Sequence, residues 1–193
     1  MQFKISAVVT AHASFEAAGS SGLFFPVPDR PAVRRCVESL LEAKVSEVIV
    51  TVDETVRDRV VEALAGLSVR VIAADGSLRA GLRDIDPAST AVIVFPADHP
   101  LVCPTTIEDL LEEHPFCRDN ILVLLFDGKQ GQPSLFPRKV MEEVLSGLSL
   151  PEVISRYSGT IRYLVTDDDG TVLATGEAEA RERLRQILLS DKK

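Results

Sequence analysis

The sequence contains no tryptophan, only two tyrosines and only three cysteines among its 193 residues. Cys36, Cys103 and Cys117 are odd in number, far apart and without a CxxC pair. This spacing predicts buried or half-buried thiols in a reducing cytosol rather than a disulfide or a metal centre. No apolar run reaches the ~20 residues that cross a bilayer, and the first residues lack the layout of a signal peptide. We therefore expect a cytoplasmic protein with no membrane partner.

Basic residues are the minority, since 21 of them stand against 29 acidic residues and give a formal net charge of −8. The lysines and arginines are scattered, whereas binding to a nucleic acid duplex needs a concentrated basic patch. Nucleic acid is therefore a poor candidate partner, and small molecules and proteins remain. With 46% hydrophobic residues, a chain of this length can bury a substantial core, which predicts one domain over residues 1–193.

Short runs rich in valine and isoleucine alternate with helix-like stretches. The runs that we expect to form strands are 3–10, 47–52, 69–73, 91–95 and 120–125. The stretches that we expect to form helices between them are 31–43, 54–64, 77–83 and 104–113. This alternation predicts an α/β fold whose mainly parallel sheet is covered by helices on both faces. Because ligands bind beyond the carboxyl ends of such strands, the segments 10–31, 74–81 and 96–102 are the candidates for a site.

The second half of the chain is less regular. Its pattern predicts a short strand at 132–136 and helices at 138–145, 151–157 and 177–189. The pattern of residues 160–166 and 171–174 predicts a β-hairpin. Three aspartates, 167–169, precede Gly170 between these stretches. A metal cluster is one interpretation of these aspartates, and a solvated hairpin turn is the one that we favour.

Asp98 and His99 follow the fourth predicted strand, between Pro96 and Pro100. A carboxylate at this place could hold Mg²⁺, which usually takes one or two carboxylates plus substrate phosphates. His99 could donate a hydrogen bond to a substrate oxygen. The structural alternatives are a turn or helix-entry residue for Asp98 and a packed loop histidine for His99. His12 and His114 have no partner at metal-ligand spacing, so we interpret both as structural or surface residues.

Two further segments could contact a ligand. The loop after the first strand contains the small residues Ala17-Ala18-Gly19-Ser20-Ser21-Gly22, whose backbone N–H groups could face phosphates. The loop matches neither GxGxxG nor GxxxxGK[ST], the glycine-rich motifs that bind phosphates. Its residues alone favour a mobile surface loop. Gly131-Gln132-Pro133 combines a close backbone approach with a polar side chain, although a lone GxP is a weak signal.

In their order, these segments resemble the MobA-like nucleotidyltransferase family, and within it the molybdopterin cytidylyltransferase branch. Ala7-Val8-Val9 resembles the opening strand of that family, and residues 77–82 match its SLRAGL segment. Residues 97–102, ADHPLV, resemble its GDMPLV segment, and residues 131–138, GQPSLFPR, resemble its GHPVLFPR segment. The resemblance implies a GT-A-like three-layer sandwich with a mainly parallel sheet.

The resemblance also implies an activity and residue roles. The family transfers a nucleotidyl group from an NTP, here CTP or GTP, to a phosphorylated acceptor such as molybdopterin, with Mg²⁺. Asp98 would be the metal ligand and catalytic residue. The residues implied in nucleotide binding are Ala11, Gly19, Ser77 and Arg79. Those implied on the acceptor side are His99, Gly131 and Gln132.

The first loop departs from the family pattern AAGxSSRMGxxK, whose arginine and lysine hold the triphosphate. An ungapped comparison puts Ala17 at the arginine and Gly22 at the lysine, and Glu16 adds a negative charge. Two lost charged hydrogen bonds cost roughly 3–6 kcal/mol, which is about a hundredfold to ten-thousandfold in affinity. Residues 174–177 also replace the aspartate-rich DIDTPED stretch of the family.

We therefore expect weak binding of free NTPs. Arg30, Arg79 or a basic group from a partner subunit could compensate for the missing charges. The alternative function is a catalytically degenerate family member that binds a nucleotide or cofactor, or that pairs with another copy or a partner protein.

Overall fold

Seven strands form one sheet in the computed structural model, which describes residues 3–12, 22–27, 29–177, 180–184 and 186. The strands are β1 (Ile5–Ala11), β2 (Glu47–Asp53), β3 (Arg70–Ala74), β4 (Ala91–Pro96), β5 (Ile121–Phe126), β6 (Lys129–Pro137) and β7 (Ile161–Val165). Their order across the sheet is β3-β2-β1-β4-β6-β5-β7. Of these described strands, β6 runs antiparallel to both of its neighbours, and the other pairs are parallel. The prediction of a mainly parallel sheet is confirmed.

Helices cover both faces of the sheet. They are α1 (Ala32–Glu42), α2 (Arg57–Ala63), α3 (Leu78–Asp84), α4 (Pro104–Glu113), α5 (Arg138–Ser146) and α6 (Leu150–Arg156). One buried cluster joins α1, α2 and α4 to the sheet, and the other joins α3, α5 and α6 to the opposite face. In β1, Ala7 and Val9 belong to the first cluster and Val8 to the second, as the two-residue period of a strand requires. The three-layer arrangement is confirmed.

Gly81 lets α3 lie unusually close to the sheet. A Cβ atom at this position would lie 2.5 Å from Cγ1 of Val8 and 2.9 Å from Cγ2 of Thr51. At the start of the helix, the Ser77 hydroxyl accepts a hydrogen bond from the backbone N–H of Ala80 at 3.3 Å. This N-cap fixes the start of α3 beside the carboxyl ends of β1 and β2.

The predicted hairpin at 160–174 is wrong. β7 pairs in parallel with β5, and residues Asp169–Val172 form a 3-10 helix. The Asp168 carboxylate accepts hydrogen bonds from the Thr106 hydroxyl at 2.7 Å and from the backbone N–H groups of Cys103 and Gly170 at 2.8 and 3.0 Å. These bonds hold the chain against the first turn of α4, so it does not return as a second strand.

The hairpin in this half of the chain lies instead between β5 and β6, whose strands pair antiparallel. Asp127 and Gly128 connect them with φ angles of 47° and 75°. Positive φ at both central residues favours Asp-Gly, so the dipeptide was the sequence signal for this turn. The strand predicted at 132–136 is therefore the second half of a longer β6.

The last helix was predicted at 177–189. Of these residues, 180–184 and 186 are helical and 177 is not, and the others lie outside the described residues. Leu184 packs in a small buried cluster with Phe25, Val27 and Ala32. None of the described helices is long and apolar enough to cross a membrane.

The cysteines are free, and two of them, Cys36 and Cys117, are buried as expected. Cys103 is exposed, which corrects the prediction of a buried or half-buried thiol. Its position explains the difference, because it is the N-cap residue of α4 and lies outside the helix face that enters the core.

Candidate functional site

The carboxyl ends of β1, β2 and β4 meet at one edge of the sheet. Ala11 pairs with Val52, and Thr10 pairs with Pro96, so that the segments following these strands emerge side by side. The backbone N–H of Ala97 continues this pairing with a hydrogen bond of 3.1 Å to the carbonyl of Thr10. Ala11, a predicted nucleotide-binding residue, is fully buried at this edge. Gly19, another, lies outside the described residues.

Asp98 lies at this edge with one carboxylate oxygen engaged. Its Oδ1 is 2.7 Å from Nδ1 of His99, and the two side chains are 10% and 12% exposed. Two effects raise the pKa of the Cys36 thiol above its ordinary value: burial, which is the larger, and the negative charge of the nearby Asp98 carboxylate. Among the described residues, Oδ2 of Asp98 has no hydrogen-bond partner. A single free carboxylate oxygen fits a magnesium ion that takes its other ligands from phosphates and water.

The segment in place of the aspartate-rich stretch of the family lies against Asp98. The backbone N–H of Thr175 donates to the Asp98 carbonyl at 2.7 Å, and its hydroxyl donates to the Gly22 carbonyl at 2.9 Å. Thr175 is fully buried. The C-terminal segment thus joins the end of the first loop to the candidate metal ligand, although its threonine offers no carboxylate. No group of three His, Cys, Asp or Glu side chains suited to a metal occurs in the described part of the chain.

His12 and Asp53 form a second group at this edge. Nδ1 of His12 lies 3.7 Å from Oδ2 of Asp53. Gly76 lies against both, since a Cβ on it would be 3.3 Å from His12 Nδ1 and 3.2 Å from Asp53 Oδ2. Hydrogen bonds from Ser77 hold the pKa of Asp75 below its ordinary value, and His12 adds a weaker electrostatic contribution. We interpreted His12 as structural or surface, but its position directly after β1 was the signal that it belongs to the edge.

Ser77 and Arg79 lie at the start of α3, yet their side chains make structural contacts. The Ser77 hydroxyl caps the helix, and the Arg79 guanidinium donates through Nε to the Val144 carbonyl in α5 at 3.0 Å. Arg30, the other candidate for a compensating charge, forms an ion pair with Glu38 at 2.8 Å. Nucleotide binding by Ser77 and Arg79 stays a prediction.

A cleft of about 270 Å³ opens beside this edge, between the sheet and helices α3 and α6. Gln132 lines it together with His12 and Pro96, and Asp98 follows Pro96 by two residues. Gly131 is buried where a Cβ would lie 2.7 Å from both Cβ and Oγ1 of Thr171. The adjoining Gln132–Pro133 peptide bond is cis. Gln132 and Pro96 thus line one cleft, whereas Asp98, His99 and Gly131 are not among the residues that line it.

Residues 18–157 match the family model of the MobA-like NTP transferase domain. The chain belongs to this family. The resemblance inferred from residues 77–82, 97–102 and 131–138 is thereby confirmed. No curated protein sequence matches the chain significantly.

Several solved structures share the fold. Rv0371c from Mycobacterium tuberculosis H37Rv superposes with a TM-score of 0.82 at 23% identity, over 96% of this chain and 100% of that protein. A nucleotidyl transferase from Methanothermobacter, Mth528, gives 0.78 at 20% identity over 97% and 99%. CMP:2-keto-3-deoxy-manno-octonic acid synthetase complexed with CTP gives a TM-score of 0.75 at 14% identity over 99% of this chain and 100% of that protein. Another structure of Rv0371c is a complex with manganese. These similarities confirm the sandwich fold.

Proposed function

We propose that this protein transfers a nucleotidyl group from CTP or GTP to a phosphorylated small-molecule acceptor such as molybdopterin, with Mg²⁺. The observation that carries the proposal is the position of Asp98 just beyond the carboxyl end of β4, where Thr175 donates to its carbonyl and the cleft lined by Gln132 begins at Pro96, two residues earlier. Membership of the MobA-like family supports the reaction class, and the Rv0371c manganese complex supports a divalent metal.

The reaction would be an in-line displacement at the α-phosphate. An oxygen of the acceptor phosphate forms the new P–O bond as the bond to the β-phosphate breaks, and pyrophosphate leaves. Asp98 would hold the metal through Oδ2, while His99 fixes the other carboxylate oxygen. When bound, the metal would neutralise charge on the phosphates. The cap of α3 at Ser77 would border the nucleotide, and Gln132 would contact the acceptor, so that catalysis rests mainly on positioning.

A second function is favoured by the charges of the first loop. No Lys or Arg lies between Ala11 and Val27, and Glu16 is acidic. A family member with these residues could bind a nucleotide or cofactor without turnover, or could depend on a basic group from another copy or a partner protein. We place either function in the cytoplasm, where the three free cysteines would stay reduced.

Pyrophosphate release tests the proposal. The protein is incubated with Mg²⁺, CTP or GTP, and a phosphorylated pterin acceptor, and nucleotide binding is measured in parallel by calorimetry. We expect acceptor-dependent pyrophosphate release that Asp98→Asn abolishes. Asp58→Asn is the matched control, because the Asp58 side chain is 94% exposed on α2. Nucleotide binding without any pyrophosphate would establish the second function, and release that persists in Asp98→Asn would remove Asp98 from the reaction.

A further inference from the structure

The strand β7 lies at one end of the sheet, and its outer side is open. Among the described residues, β5 is the strand with which it pairs. The backbone N–H of Thr166, directly after β7, donates to the Leu125 carbonyl in β5 at 3.1 Å. Because the backbone groups of successive residues in a strand point to opposite sides, Ile161, Tyr163 and Val165 direct theirs away from β5. These N–H and C=O groups can pair with another strand.

Exposed apolar side chains concentrate at this edge. Four large hydrophobic residues are exposed in the described part of the chain, and three of them lie here: Phe116 at 83%, Val165 at 81% and Tyr163 at 46%. The strand at the opposite end of the sheet, β3, is described throughout and carries none. Moreover, β7 contains neither the proline nor the lysine that commonly protects an exposed edge. Such an edge is typical of a strand that another chain covers.

An acidic groove borders the edge on the side of α4. The groove has a volume of about 360 Å³, and Leu164, Asp109, Glu112 and Glu113 are among the residues that line it. Arg162 of β7 forms an ion pair with Glu113. Asp109 and Glu112 have no ionic or hydrogen-bond partner among the residues that the structure describes. The groove therefore favours a basic side chain from the covering chain.

We propose that a second copy of this chain covers the edge, with β7 antiparallel to the partner's β7 about a two-fold axis at Tyr163. Ile161 then lies opposite the partner's Val165, and the two copies of Tyr163 lie opposite each other. This register joins residues whose backbone groups point outward on both strands, as hydrogen-bonded antiparallel pairs require. A register centred on Arg162 would instead place two like charges opposite each other.

The same register brings a basic side chain to each acidic groove. Arg162 lies opposite the partner's Leu164, in a pair without backbone hydrogen bonds, where side chains come closest. Both side chains are on the α4 side of the sheet, because Leu164 packs against the core cluster of that side and the two positions differ by two residues. Arg162 can therefore reach the partner's Asp109 and Glu112. Backbone pairing and charge agree on one arrangement, which closes with two-fold symmetry.

This dimer keeps the two candidate sites apart. Antiparallel pairing directs the carboxyl ends of the parallel strands in the two copies to opposite sides. Within each copy, β4, β6 and β5 separate β7 from β1, which is about 19 Å at the usual strand spacing. The partner in this dimer therefore supplies no basic group to the first loop, and the inference does not depend on the proposed function.

Sedimentation of the whole protein measures the association. We expect a dimer of twice the 21.0 kDa chain mass at micromolar concentrations. Val165→Lys places a charge on the apolar edge, and Arg162→Glu opposes the acidic groove, so each should weaken dimerisation by about tenfold or more. Val61→Lys is the matched control, since Val61 is an exposed valine on α2. A monomer at every concentration, or a dimer that both edge variants leave unchanged, would overturn the inference.

Cysteine cross-linking tests the register. The exposed Cys103 is first replaced by serine. In this background, Tyr163→Cys places its two Cα atoms about 5.5 Å apart, so mild oxidation should give a covalent dimer. Val165→Cys is the control on the same strand, because its two copies lie about 14 Å apart, which no disulfide spans. Equal cross-linking at both positions, or none at Tyr163→Cys, would contradict the register.

Exchanging charges between copies tests the contact of Arg162 with the groove. Copies with Arg162→Glu are mixed with copies that carry both Asp109→Lys and Glu112→Lys. Opposite charges then meet at both grooves of a mixed dimer, whereas like charges meet in a dimer of either variant alone. We expect the mixture to dimerise at least about tenfold more tightly than either variant. A mixture that associates no better than its components would overturn the placement of Arg162.

Discussion

His114 shows how burial sets the chemistry of a single side chain. The residue is 1% exposed, and neither ring nitrogen has a hydrogen-bond partner among the described residues. Its ring contacts the Phe3 ring edge-on, with centroids 5.8 Å apart. Burial, with a weaker contribution from Arg118, lowers the pKa of His114 below its ordinary value. His114 is therefore neutral in the folded protein over a wider pH range than in the unfolded chain.

This difference predicts a pH-dependent stability. Above an ordinary histidine pKa of about 6.5, both states are neutral; as the pH falls below it, the unfolded chain binds the proton first. The free energy of unfolding should therefore decrease from about pH 7.5 to about pH 5. His114→Leu should reduce this decrease, as measured by urea unfolding across the range. Phe116→Leu, at a neighbouring residue that is 83% exposed, should not change it. An identical pH dependence in His114→Leu would contradict the explanation.

The place of a candidate site residue could be predicted from the sequence where the residue directly follows a strand. Asp98 was placed at a strand end from its prolines and the apolar run before it, and the structure puts it there. The contact of Asp98 with His99 and the pairing of His12 with Asp53 depend on rotamers and on neighbouring strands. The order of residues along the chain does not predict the distances between these side chains.

At the scale of elements, Gly81 determines how closely α3 approaches the sheet. Gly81→Ala would place a methyl group 2.5 Å from a Val8 methyl carbon on a buried strand. Because β-branched side chains have little rotamer freedom, the helix or strand must shift. We expect a loss of about 1–3 kcal/mol in the free energy of unfolding. Gly159→Ala is the control, because a Cβ there meets no atom within 4 Å. Equal stability of both variants in denaturant unfolding would show that α3 adjusts freely.

The first loop carries a prediction about charge. One charged hydrogen bond to a phosphate contributes about 1.5–3 kcal/mol. Ala17→Arg should therefore strengthen Mg²⁺-NTP binding by about tenfold or more, with Ala17→Gln as a polar control without the charge. Gly22, which the family comparison places at the lysine, is buried, and its carbonyl accepts from Thr175, so the test restores a charge at position 17 alone. Equal calorimetric affinities for Ala17→Arg and Ala17→Gln would mean that a missing charge does not limit binding.

Elements with regular periodicity were predictable, and those fixed by distant contacts were not. The parallel strands follow from apolar runs, since both faces of the sheet are buried. The error at 160–174 arose because Asp168 bonds to residues of α4 more than sixty positions away. In contrast, the β5–β6 turn had a local signal in Asp127-Gly128 that the prediction overlooked.

At the scale of the whole molecule, two helix layers support one edge where the strand ends converge. The fold and the family follow from the sequence and are confirmed by the family match and the solved structures. A single domain over residues 1–193 stays a prediction, as do the roles of the site residues. The account depends most on the claim that nucleotide and metal meet at Asp98.

Paramagnetic broadening measures that claim most directly. Mn²⁺ and CTP are added to ¹⁵N-labelled protein, at concentrations high enough for weak binding, and backbone amide signals are followed. The account predicts CTP-dependent broadening centred on Ala97, Asp98 and Thr175, lost in Asp98→Asn and retained in Asp58→Asn. Broadening centred on another part of the molecule, or unchanged in Asp98→Asn, would contradict the account.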